Sequence, residues 1–252
     1  MSQECAYAFR TENLSRSFAG FKAVNDVSLE IPSGGVRAII GPNGAGKTTL
    51  FNLLSGHFLP TSGSISFDGH DITAMPPYRR ARLGIARSFQ ITNIFAKLSV
   101  YENVRLAVQA AYDGRASFFL PNRKMGDLEG RTHEILGDIG LESVAAGRAE
   151  NLSHGDQRLL EIGLVLGRDP KVLLLDEPLA GMSPTETDAT VALIERIAPG
   201  RTVLLVEHDI DVVMAISTTI TVLQSGQVLA TGTPQEIRAN DAVQRAYLGG
   251  LA

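Results

Sequence analysis

At 252 residues the chain can build one large α/β domain, or a domain carrying a sizeable inserted subdomain. Its net charge of −4 supplies no basic field for a nucleic-acid partner, and 44% apolar with 20% charged residues is the balance of an ordinary globular protein of the cytosol. The single Cys5 allows no intramolecular disulfide and fits a reducing compartment. Residues 1–13 are polar without the basic-then-apolar order of a secretory leader, and no apolar run nears the ~20 residues that cross a bilayer. Action at a membrane would need other chains to do the crossing.

Strand-like and helix-like segments alternate along most of the chain, which predicts an α/β layered fold. Val27–Ile31 alternates as a half-buried antiparallel strand does, and Gly63–Phe67, turned by Asp68-Gly69, predicts another strand of the same layer. Val36–Ile40 leads into a Gly-rich run, after which a helix is expected from near Gly46 to about Leu54. From about Ser99 to Leu166 the period is helical, over Val100–Ala111, Arg131–Ile139 and Asp156–Leu166, with Asp113–Gly126 expected as a mobile loop. Strands resume at Val172–Asp176 and Thr202–Glu207, with a helix over Pro184–Ile197 between them. Thr219–Gln224 and Gln227–Thr231 read as a hairpin around Ser225-Gly226, followed by two short helices.

Gly41-Pro42-Asn43-Gly44-Ala45-Gly46-Lys47-Thr48, with Thr49 after it, fits the P-loop pattern and lies between a predicted strand and a predicted helix. Glycines let successive N–H groups curl round phosphate oxygens. The helix N-terminus adds partial positive charge, Lys47 reaches the β- and γ-phosphates, and the Thr48 hydroxyl can ligate Mg²⁺. A plain Gly-rich turn before a helix is the alternative. Val172–Leu175 is an apolar run suited to a central parallel strand, and it ends in Asp176-Glu177, where ligands bind in open α/β sheets. Asp176 is then placed to hold Mg²⁺ and Glu177 to polarise an attacking water. Two acids at a strand end also make a solvated turn; the company of the P-loop favours the functional role.

Along nearly its whole length the chain resembles the ABC ATPase family. Leu152-Ser153-His154-Gly155-Asp156 stands where that family carries its LSGGQ signature, before a predicted helix whose N-terminus suits an anion. Ser153 is equally suited to be a helix N-cap. The resemblance implies a P-loop NTPase core, a mainly parallel sheet flanked by helices, with an antiparallel β layer and an inserted α-helical subdomain. Residues 1–90 and 167–252 would form the core, and about 91–166 the helical part. It implies that Ser153 and Gly155 contact the γ-phosphate of ATP held by a second subunit, so that two ATP and two Mg²⁺ lie between head-to-tail chains. It further implies that Gln90 touches Mg²⁺ and couples to the membrane subunit, that His208 contacts the γ-phosphate, and that Phe18 stacks on adenine. Core packing is the alternative for Phe18, a surface amide for Gln90 and a packed loop residue for His208.

The sequence departs from the family pattern at His154 and Asp156 in the signature, and at Ser183, where an Asp is usual. Gly84–Gln90, Leu98–Val104, Ala180–Pro184 and Ala246–Gly249 resemble the branched-chain amino-acid importers, although relatives importing urea or short amides share much of this. The implied partners are transmembrane permease subunits, a second ATP-binding subunit as homo- or heterodimer and, indirectly, a solute-binding protein, with no nucleic acid. The implied place is peripheral, at the cytoplasmic face of the plasma (inner) membrane. Phe95, Leu98 and Val100 are expected as exposed apolar anchors for the membrane partner. A non-transport ABC ATPase and a non-hydrolysing regulatory subunit are the competing readings. The short Gln90–Ser153 interval, without heptads, argues against the first, and the presence of Lys47, Asp176, Glu177, Gln90 and His208 against the second.

Overall fold

The computed structural model describes residues 7–88, 94–112 and 122–248, so Gln90 and the 113–121 part of the expected loop lie outside the described residues. Strands β1 (Tyr7–Phe18) and β2 (Phe21–Pro32) form a hairpin turned at Ala19-Gly20. With β4 (Ser62–Phe67) and β5 (His70–Asp71) they make an antiparallel sheet in the order β2-β1-β4-β5. Four register shifts along the β1–β2 ladder interrupt the period of two, which is why the polar N-terminal stretch carries no clean strand pattern.

The second sheet has the order β10-β9-β3-β8-β7-β6. It comprises β3 (Gly35–Ile40), β6 (Ile85–Arg87), β7 (Val172–Asp176), β8 (Thr202–Val206), β9 (Thr219–Gln224) and β10 (Gln227–Gly232). All neighbours pair in parallel except the β9–β10 hairpin. The expected α/β class with an antiparallel layer is therefore present. Successive residues of β7 point to opposite, equally apolar faces. Leu174 packs with β1, β2, β4 and helix α1 (Lys47–Ser55), whereas Leu173 and Leu175 pack with α3 (Val100–Tyr112), α4 (Asn122–Asp138), α5 (His154–Leu166) and α6 (Pro184–Ile197). Burial on both faces accounts for the unbroken apolar run. On the far side α7 (Ile210–Ile216), α8 (Pro234–Ala239) and α9 (Asp241–Leu248) close over Ala38, Ile40, Ile220 and Val222.

Two expectations need correction. The segment Asn122–Gly126, read as loop for its glycine and mixed charge, is the first part of α4. Gly126 and Gly130 cost the helix only about 1 kcal/mol each, which burial of Leu128, Ile135 and Leu136 outweighs. Val100 is not an exposed anchor: it is fully buried in the cluster that unites α3–α5, while Phe95 and Leu98 are 57% and 37% exposed. Buried Asn103 pins the preceding segment, accepting from Phe95 N–H at 2.8 Å and donating to the Phe95 and Ser99 carbonyls.

Helix α2 (Pro77–Arg82) carries the fully buried Arg80, whose guanidinium donates to the carbonyls of Leu53, Leu54, Ile72, Thr73 and Met75. Burial pulls its pKa down to about 10. The cation sits at the C-terminal end of α1, where the helix dipole favours it. Arg80→Met should lower unfolding free energy by about 3 kcal/mol or more, because several buried carbonyls lose their donor at once. Arg80→Lys should recover only part of this, since an ammonium cannot span the fork. Chemical denaturation of the three proteins checks both.

Candidate functional site

Leaving β3, the chain passes so close to its neighbours that side chains have no room. A Cβ on Gly41 would lie 2.2 Å from the Leu223 carbonyl oxygen, and one on Gly46 would lie 2.3 Å from that of Ala23. Gly46 is also the N-cap of α1, with φ 100° and no side-chain cap, so the first N–H groups of the helix stay open to an anion. Lys47 is 6% exposed and its Nζ donates to the carbonyls of Gly41 at 2.7 Å and Pro42 at 3.1 Å. Burial pulls its pKa down, and the charges of Glu177 and Asp176 oppose that shift. Residues 43–49 line a pocket of about 240 Å³, together with Phe21, Ala23, Glu177 and His208. The P-loop, Glu177 and His208 thus share one cavity.

Asp176 closes β7 and is 2% exposed. Its Oδ2 accepts from Arg87 Nη2 at 3.0 Å, and its Oδ1 is buried without a hydrogen-bond partner. Burial raises its pKa, opposed chiefly by Arg87. At the next residue the backbone enters the left-handed region, φ 51° at Glu177, a conformation costing about 1 kcal/mol or more for a residue with a Cβ. A bond from Glu177 N–H to the Val206 carbonyl, 2.8 Å, holds this turn. Glu177 Oε1 lies 2.8 Å from His208 Nε2. Behind them Glu207, its pKa raised by burial, accepts from Leu179 N–H at 2.7 Å and from His208 N–H at 3.1 Å. One buried carboxylate therefore ties the Glu177 loop to the His208 loop. Arg87 and Glu207 stand inside quoted motifs, but only the distances reveal what they hold.

The site fits a hard divalent cation. Asp176 Oδ1, one residue before the pocket-lining Glu177, is a buried acceptor lacking a donor, and Thr48 on the pocket wall carries a hydroxyl. No cluster of three or more His, Cys, Asp or Glu among the described residues could cage a metal, so phosphate and water oxygens would have to complete the shell, as suits Mg²⁺.

Ser153 and Gly155 do not line this pocket. Ser153 is the N-cap of α5, accepting from Asp156 N–H at 3.1 Å, and its hydroxyl keeps a proton to donate. Gly155 N–H donates at 3.1 Å to Glu186 Oε1. Glu186 in turn forms a capping box with Ser183, whose N–H and hydroxyl hold that carboxyl below the usual range. Ser183 thus starts α6 in the place of the usual Asp. Phe18 is also off the pocket lining: its ring meets Phe58 edge-on at 5.3 Å with the Arg16 guanidinium 4.7 Å above it. Phe21, its cross-strand partner, is the aromatic on the wall.

A family model described as ABC transporter matches residues 24–180, from within β2 to beyond the acid pair. The chain belongs to the ABC transporter family. It is an ATP-binding cassette, and the family hydrolyses ATP. A second model, described as branched-chain amino acid ATP-binding cassette transporter, matches residues 227–252. The cassette is similar to the high-affinity branched-chain amino acid transport ATP-binding protein LivG of Salmonella typhimurium, 42% identical over 94% of this chain and 95% of that protein. Among solved structures it is similar to the ADP conformation of MJ1267, an ATP-binding cassette of an ABC transporter, at 30% identity and TM-score 0.81, covering 96% of this chain and 99% of that one. It is also similar to the dimeric post-hydrolysis state of MJ0796 bound to ADP and Pi, at 25% identity and TM-score 0.76, covering 90% and 98%.

Two alanine variants separate the pocket-wall aromatic from its cross-strand partner. Phe21→Ala should weaken ATP binding by about fivefold or more, the lower end of a base–aromatic stack, and Phe18→Ala should weaken it less. Equilibrium titration with ATP, monitored calorimetrically, gives both constants.

Proposed function

We propose that this chain is the ATP-hydrolysing subunit of an importer for branched-chain amino acids, seated peripherally at the cytoplasmic face of the plasma membrane and working head to tail with a second ATP-binding subunit. The observation that carries the ATPase half is the placing of Glu177, held by His208 at 2.8 Å, on the wall of the P-loop pocket. The importer half rests on the likeness to LivG and on the match at the C-terminal residues. No helix among the described residues is long and apolar enough to cross a membrane, so permease subunits would supply the path. Residues 1–90 and 167–252 serve as the catalytic core, and about 91–166 as the helical subdomain.

In this reading the open N–H groups of the P-loop and Lys47 bind the β- and γ-phosphates. Thr48 and Asp176, with Gln90, would hold Mg²⁺, which supplies neutralising charge at the phosphate oxygens. Glu177 orients a water for in-line attack and takes its proton, while His208 fixes the Glu177 carboxylate and faces the γ-phosphate. Ser153 and Gly155 lie off the pocket because they serve the partner's nucleotide. The Gly155 N–H, occupied by Glu186 in the single chain, exchanges that carboxylate for phosphate when two chains close. Neither subunit completes a site alone, so hydrolysis waits for closure.

Glu177→Gln should keep ATP affinity, slow hydrolysis by about a hundredfold or more and accumulate as an ATP-bound dimer, because the closing surfaces are untouched. Turnover at the unmodified rate would remove Glu177 from the role of base. Steady-state hydrolysis and gel filtration with ATP are the measurements.

For the permease, the exposed Phe95 and Leu98 offer apolar contacts, and so does a cavity of about 380 Å³ whose wall includes Tyr78 and Leu164. The whole reading is tested by purifying the chain gently from native membranes. Two polytopic subunits, a second ATP-binding chain and a branched-chain amino-acid-binding protein should accompany it, and Phe95→Asp should release the permease while ATP binding persists. Recovery of the unmodified chain without any membrane subunit overturns the importer.

A further inference from the structure

Arg87 is 10% exposed at its side chain, an almost buried cation at the end of the edge strand β6. Its Nη1 donates to Asn52 Oδ1 at 2.6 Å and to Ser55 Oγ at 3.1 Å, both on α1, the helix that the P-loop opens. Its Nη2 donates to Asp176 Oδ2 at 3.0 Å. The guanidinium carbon lies 5.9 Å from the centre of the Phe51 ring, which walls it on one side. One planar group therefore measures the separation between α1, which Lys47 opens, and the end of β7, which Asp176 closes.

The geometry points to Arg87 as a positioning residue for metal-bound nucleotide: it occupies Asp176 Oδ2 so that the unpartnered Oδ1 is the oxygen presented to the cation. This rests on the proposed reading of Asp176 as the metal-holding carboxylate. A free carboxylate rotates and offers either oxygen, whereas one clamped by a fork that is itself held by Asn52 and Ser55 offers one, in one direction. The arrangement also sets a conflict whose outcome can be measured. As a neighbouring cation Arg87 repels a metal ion; as a clamp it orders the ligand that receives it. Positioning requires that the second effect be the larger.

The test uses the full chain with Glu177→Gln, so that ATP persists, and a trinitrophenyl analogue of ATP as fluorescent probe. Probe binding is measured first in excess chelator and then as a function of Mg²⁺. Arg87→Met should raise the Mg²⁺ concentration for half-saturation by about tenfold, the usual scale for removing a residue that orients a metal ligand, and should leave chelator-resistant binding unchanged. Arg87→Lys should fall between, since an ammonium keeps the charge but cannot hold Asn52 and Asp176 together. Asn52→Ala should shift the Mg²⁺ midpoint in the same direction by less, and it stands in for Arg87→Met if that variant's melting curve shows that it does not fold. An unchanged or lowered midpoint in Arg87→Met, or in Asn52→Ala as its stand-in, overturns the inference and leaves Arg87 a structural or competing counter-ion. Absence of any Mg²⁺ dependence in the parent would instead overturn the reading of Asp176.

Discussion

The loop that receives phosphate exists because two carbonyl oxygens, those of Leu223 and Ala23, press against positions 41 and 46 with no space for a side chain. One belongs to the parallel sheet and the other to the antiparallel layer, so the loop is wedged where the two sheets meet. A bond from Gly226 N–H to the Ala45 carbonyl ties the loop to the β9–β10 turn, Asn25 N–H joins that turn to β2 through Gly226, and Ala45 N–H closes the loop on Pro42. The start of α1, the depth of Lys47 and the shape of the pocket all follow from that wedge. A loop so confined needs little reorganisation to bind phosphate, which is the condition for electrostatic stabilisation to be worth its full value.

Around the wedge, charge is arranged by burial. Lys47, Arg87, Asp176 and Glu207 are all largely withdrawn from water, yet each has at least one partner of suitable kind. Of these carboxylates, Asp176 alone keeps a buried oxygen without a hydrogen-bond partner. Glu177 and His208 differ from these. They remain partly exposed, 28% and 49% at the side chain, and touch one another at the pocket wall. Burial thus seals Lys47 and Asp176, the groups proposed for phosphate and cation, together with Arg87 and Glu207, and leaves the proposed base Glu177 and its partner His208 accessible.

The helical layer is attached to the same strand that carries the acid pair. Leu173 and Leu175 of β7 face α3–α6, whereas Leu174 faces α1 and the antiparallel layer, so a shift of the helical cluster bears directly on the strand ending in Asp176. The Glu186 carboxylate makes a second link, joining the start of α6 to the start of α5 through Ser183 and Gly155. These contacts would give the proposed closure of two chains a material route to the chemistry, because the start of α5 carries Ser153 and Gly155, which the motif pattern directs to the second subunit's nucleotide.

Much of this was legible before any coordinates. The P-loop pattern, the apolar strand ending in Asp176-Glu177 and the strand before His208 are local signals, set by glycine conformation, phosphate chemistry and the need to bury both faces of a central strand. Strands β7 and β9 and helix α6 carry their expected bounds, since period, length and caps agree there. Strand β1 was hidden by its bulges, β6 by its three-residue length, and the start of α4 by a glycine that packing overrides. Which aromatic faces the pocket, the burial of Val100, the Glu186–Gly155 bond and the clamp of Arg87 on Asp176 were decided only by the tertiary structure. The Glu186–Gly155 bond joins positions 31 apart and the Arg87–Asp176 clamp positions 89 apart, and the other two depend on which way a side chain turns. Local patterns encode the chemistry of a motif; the partner of a buried charge is chosen by the packing that removes its water.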